Sequence, residues 1–118
     1  MTGDSKTQLL AERGINMAVD PNKVLSPRKR LKDLRVVHRD EDWSLAVGIW
    51  DKMRALLTRW NGDEDRPLGN PVSHAHPTWF VLPQHFHAPL LGLVPSLEAD
   101  TAVQWLQGIN PTLWEDRG

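Results

Sequence analysis

The chain is 118 residues long, 40% apolar and 25% charged, with no cysteine and a formal net charge of −1. That length holds one core, and the composition excludes a wholly disordered or collagen-like chain. The missing cysteine excludes disulfide scaffolds, thiol catalysis and cysteine zinc sites.

No run approaches the length of about eighteen apolar residues that a membrane span needs, and Met1–Gly14 is too polar for a signal peptide. The expectation is a cytoplasmic or nucleoid-associated protein without membrane contact. Residues 1–26 show little periodicity and carry Gly3, Gly14 and Pro21, which reads as a flexible N-terminal arm with a helical turn around Thr7–Arg13. Met17 opens a stretch that also reads as a natural start, making residues 1–16 an upstream extension. Order is expected from about Leu31, in a sheet-plus-helix core over residues 27–94.

Leu34–Arg39 reads as a strand, broken by Asp40-Glu41-Asp42. From Trp43 to Trp50 large side chains alternate with Ser, Ala and Gly, a period-two strand with one bulky and one small face. A tight turn leads to a third strand ending at Trp60, where Asn61-Gly62 offers a turn pair that tolerates positive φ. A polar loop, Asp63–Pro77, precedes a fourth strand, Thr78–Leu82. Pro83 opens a helical segment that Pro89 keeps short or kinked. Ser96 is placed as the N-cap of an amphipathic helix over Leu97–Leu106 with Gly108 as its stop, inside a C-terminal helix and tail of residues 95–118. The fold class expected is α+β: a four-stranded antiparallel meander sheet followed by one or two C-terminal helices.

Charge is split along the chain. Residues 1–39 carry nine basic and four acidic residues, whereas 40–118 carry five and eleven. Arg28, Lys29, Arg30, Lys32, Arg35 and Arg39 fall within twelve positions, and such a stripe either attracts phosphate or is ordinary solvated surface. With Lys52 and Met53 as the two turn residues, Ile49 pairs with Leu56 and Val47 with Thr58, leaving Ser44, Ala46, Gly48, Trp50, Ala55, Leu57 and Arg59 on the reverse face. If Leu34 and Val36 point inward, Arg35, Val37 and Arg39 join that face, and Lys52 and Arg54 sit at its tip. Small residues admit a flat base, Trp50 stacks on it and the guanidinium groups hold phosphates; the alternative is a wet sheet face with ordinary charges.

The order of a basic strand, the strand with Trp43, Leu45 and Trp50, the strand Leu56–Trp60, and the junction Leu82-Pro83-Gln84 resembles the Positive Cofactor Four-like family, relatives of the Whirly proteins. The resemblance covers residues 30–94 and rests on element pattern without a diagnostic motif. It implies a homodimeric ββββα protein that binds single-stranded DNA, a transcription coactivator or regulator of the kind also found in bacteria and phage. It marks Arg35, Arg39, Lys52, Arg54, Arg59 and Trp50 as contact positions. The acidic loop, Pro89 and the C-terminal extension depart from the pattern.

His74 with His76 and His85 with His87 are spaced so that an extended backbone would turn each pair the same way, which offers imidazoles to zinc or manganese in a metal-dependent hydrolase. A helix start at His85 would instead aim its pair apart, and no His-Glu-x-x-His or nucleophile elbow is present. No cofactor is therefore expected, and an enzyme is the weakest reading. Trp105, Leu113 and Trp114 offer apolar groups that a small domain has trouble covering, and they are read as partner or dimer contacts. Two binding functions follow: a non-enzymatic single-stranded nucleic-acid-binding protein using residues 28–59, or a protein-interaction module or inhibitor whose acidic half engages a nucleic-acid-handling protein.

Overall fold

The computed structural model describes residues 18–115. The expected helical turn at Thr7–Arg13 and the upstream extension 1–16 lie outside the described residues. The main sheet is antiparallel, in the order β1 (Leu31–Arg39), β2 (Trp43–Trp50), β3 (Met53–Trp60) and β6 (Phe80–Leu82). Between β3 and β6 the chain makes a small separate hairpin, β4 (Val72–Ser73) and β5 (His76–Pro77). The helices are α1 (His87–Leu93), α2 (Leu97–Leu106) and the single turn α3 (Thr112–Glu115). The α+β meander with C-terminal helices is thus as the residue pattern implies.

Local chemistry accounts for the element ends. The Ser96 hydroxyl accepts from the Ala99 N–H at 3.0 Å, an N-cap for α2. At its other end Gly108, at φ +95°, donates to the Trp105 carbonyl while Ile109 donates to that of Gln104, closing the helix as a Schellman motif. Pro89 falls in the first turn of α1, where its missing N–H has no helical partner to lose. A 3-10 turn, Gln84–Phe86, precedes it.

The β2–β3 turn is Asp51-Lys52, both at positive φ (49° and 71°), not Lys52-Met53. The register is correspondingly shifted: Val47 faces Leu56, Leu45 faces Thr58 and Ile49 faces Arg54. A shift by two keeps parity, so the two faces of the hairpin hold the residues expected on them, with Arg54 on the bulky face. In β1, register shifts between Lys32 and Arg35 and between Val36 and His38 break simple alternation. Arg35 and Val37 therefore join the bulky face, Leu34 and Val36 the small one, and of the expected trio only Arg39 lies beside Ser44.

Both faces are covered. Helices α1 and α2 seal one, packing Leu91, Ala99 and Ala102 on Val37, Leu45, Val47 and Leu56. Residues 95–115 thus contribute to the same core as residues 31–94. The other face is closed by residues 18–26, expected as a free arm: Val24 is fully buried against Leu31, Ala46, Ala55, Leu57 and Trp79. A 3-10 turn at Pro21–Lys23, capped by Asp20, shapes this strap. No helix among the described residues is long and apolar enough to cross a membrane.

Candidate nucleic-acid interface

The small face of the sheet is covered and not open to solvent. Ser44, Ala46, Leu57 and Arg59 are buried beneath the strap and the segment around Trp79, and Trp50 packs against the same cluster. Arg59 is 2% exposed; its guanidinium donates to the carbonyls of Thr78 and Leu68 and, at 3.5 Å, of Pro71. It ties the 61–79 insertion to β3. Burial lowers its pKa to about 10, because the charged form loses water, yet at neutral pH it stays a cation.

Two more of the expected arginines serve the helices. Arg54 donates to the Trp105 carbonyl at 2.7 Å and to Asn110 Oδ1 at 2.7 Å, with its Cζ 4.7 Å from the Trp105 ring centre. A cation at the carbonyl end of α2 satisfies acceptors that the helix leaves open and complements its dipole. Arg35 lies 4.2 Å from the Trp114 ring centre and 4.0 Å from Glu98. Trp105 and Trp114 are therefore half-buried on the helix-side core with cations stacked on them, and their indoles are engaged within the chain. Leu113, the third residue read as a partner contact, remains exposed. Arg39, at the far end of β1, pairs with Asp20 at 3.5 Å.

Arg28, Lys29, Arg30, Lys32 and Lys52 remain on the surface, and they lie at one end of the sheet. The turn 28–30 leads into β1 where Leu31 faces Trp50, and the Arg30 carbonyl accepts from the N–H of Asp51 at the hairpin tip. Arg30 approaches Asp51 at 3.7 Å; Arg28, Lys29, Lys32 and Lys52 form no ion pair among the described residues. The same segment walls an open cleft of about 610 Å³, lined by Lys23, Leu25, Ser26, Pro27, Arg28, Lys29 and Arg30 on one side and His76 and Pro77 of β5 on the other. Five of its nine lining residues are basic or imidazole-bearing and none is acidic, so the field in it is positive. Lys23 and the cleft itself were not evident in the residue pattern, because the strap that forms one wall has no periodicity.

The other histidines of the two expected pairs do not converge. His74 is in the turn of the β4–β5 hairpin, His85 in the 3-10 turn and His87 at the start of α1. No group of three or more His, Cys, Asp or Glu among the described residues is placed to hold a metal ion. No family model matches the chain, and no curated protein or solved structure matches it.

Proposed function

We propose that the protein is a non-enzymatic single-stranded nucleic-acid-binding protein whose contact surface is the basic cleft and turn at residues 23–32, with Lys52 beside it, and not the face of the sheet. The observation that carries this reading is the cleft wall of Lys23, Arg28, Lys29 and Arg30 facing His76 with no carboxylate in it. Exposed cations held by backbone turns neutralise successive phosphates, while Leu25, Pro27 and Pro77 offer apolar surface to sugars and bases. With Trp50 engaged in the core, affinity comes mainly from phosphate contacts, so sequence preference is weak and salt dependence steep. The element order that resembles the Positive Cofactor Four-like family supports the same class of ligand, on a different surface.

Fluorescence anisotropy with labelled oligo-dT across a salt series tests this. About four neutralised phosphates give a slope near −3 in log K against log salt. Arg28→Ala with Lys29→Ala should weaken binding at least tenfold. No binding at low salt, or binding indifferent to that double substitution, rules the reading out.

A further inference from the structure

The opposite end of the sheet carries a second unpartnered surface. Trp60 is 60% exposed and Phe80 56% exposed. Thr58 faces Phe80 in the β3–β6 register, so Trp60, two residues on, is the diagonal neighbour of Phe80 on the helix-side face. Trp60 and Phe80 are absent from the core that α1 and α2 cover. Two loops flank this aromatic pair. Asn61 donates its N–H to the Asp42 carbonyl and its amide Nδ2 to the Asp40 carbonyl, both at 2.8 Å, which clamps Asp40–Asp42 to the chain leaving Trp60 for Asp63–Asp65. Asp40 and Asp63 are spent on local backbone N–H groups. Glu41, Asp42, Glu64 and Asp65 are exposed and form no ion pair among the described residues.

An exposed indole and phenyl beside free carboxylates fit a segment whose cations have long apolar stems, since such side chains lay methylenes on the rings and heads on the acids. The chain uses that chemistry twice internally, Arg35 on Trp114 and Arg54 on Trp105. It also presents a matching segment, the turn Arg28-Lys29-Arg30, at the other end of the same hairpin. We infer that the chain associates head to tail, with the basic turn of one copy on the Trp60–Phe80 face of a second. Like ends repel, opposite ends attract, and a net charge of −1 opposes approach little. Since β2 and β3 separate the two surfaces by roughly 25 Å, at about 3.3 Å per strand residue, the contact is heterologous, and each copy keeps one end free for a further copy until a ring closes. Two rings and a few charges are small against a standard interface, so the association is weak and reversible.

The inference does not rest on nucleic-acid binding, and its test is made on full-length protein free of nucleic acid. Sedimentation equilibrium at low salt, from about 5 to 500 µM, should show the average mass at least doubling, with a return to monomer at about 0.5 M salt. Trp60→Ser with Phe80→Ser, and separately Arg28→Glu with Lys29→Glu, should each be monomeric. Phe80→Ser alone serves if the first pair melts early. Mixed one to one, the two variants should form dimers and nothing larger, because only one complementary pair of ends survives. A wild type that stays monomeric, association that persists in either variant, or a mixture that does not dimerise overturns the inference. None of those results alters the oligo-dT measurement on dilute protein. If both surfaces act as described, oligo-dT should dissolve the assemblies by occupying the basic turn.

Discussion

The indole Nε1 of Trp79 donates to the backbone carbonyl of Val24 at 2.8 Å, joining residues 55 positions apart across the buried side of the sheet. Both residues are enclosed, at 3% and 0% exposure. Beside this bond the Thr78 hydroxyl donates to the Ser26 carbonyl at 2.7 Å. The strap that supplies Lys23 to the cleft and leads into the turn bearing Arg28 is thus pinned to the segment that supplies His76, so stability of the fold and shape of the cleft depend on the same contacts.

Trp79→Phe keeps an aromatic ring but leaves the Val24 carbonyl buried without its donor. The expected loss is about 2 kcal/mol in urea unfolding. Because the strap is the element released, limited proteolysis with a broad-specificity protease should cut within residues 18–30 before the helices are touched. Cleavage elsewhere within residues 18–115 first would mean that the strap is held by other contacts.

Arg59→Met removes the guanidinium that holds the Thr78 and Leu68 carbonyls. About 3 kcal/mol of stability should be lost, since buried acceptors are left unpaired. Arg59→Lys should not restore it, because one ammonium lacks the planar fork that reaches both carbonyls. Oligo-dT affinity of the folded fraction of either variant should stay within twofold of wild type. A large loss of affinity without loss of stability would return Arg59 to the contact surface.

Acid sensitivity should appear in two windows. Burial pushes the His87 imidazole below its ordinary value of 6.5, opposed by a hydrogen bond with the Leu82 backbone that favours the charged ring. Between its folded and unfolded values the unfolded chain binds more protons, so stability falls as pH drops below about 6.5. Hydrogen bonds from the Asn22 backbone hold Asp20 low, and hydrogen bonds from Trp43 and Asp42 hold Asp40 low. Their stabilising effect is present above 3.8 and lost as pH falls through the lowered values. His87→Gln should flatten the upper window, and Asp20→Asn should shrink the lower one while leaving the Asp40 share, in urea midpoints measured from pH 3 to 8.

The helix over Leu97–Leu106 was legible because its cap, its stripe and its stop are all local. So was the division of Trp43–Trp50 into a bulky and a small face. That neither face meets water was not legible, because the cover on the small side is an aperiodic strap. Arg59 on an alternating strand reads as surface, since the carbonyls that engage it come from Leu68, Pro71 and Thr78, in a loop whose path no periodicity describes. Trp60 reads as core by its residue type and is exposed because the helices stop short of it. The cleft and the aromatic end both arise where a non-local element begins or ends.

The hairpin tip sets conformation against charge at two adjacent residues. Asp51 and Lys52 both sit at positive φ, and such a two-residue turn favours Asn-Gly. Asp51→Asn with Lys52→Gly relieves the side-chain strain, and the lost Arg30–Asp51 pair, exposed at 3.7 Å, offsets little of the gain. Urea unfolding should show a stabilisation of about 1 kcal/mol. The Lys52 cation is lost beside Arg28–Arg30, so the salt slope for oligo-dT should shrink by about 0.7 if the tip touches a phosphate. Glycine itself lacks the clash that positive φ imposes on lysine, so conformation alone gives no reason for a loss of affinity. Higher stability together with a slope shallower than that of Asp51→Asn alone, which equally frees Arg30, would therefore assign Lys52 to the ligand, and equal slopes would confine the contact to the cleft wall.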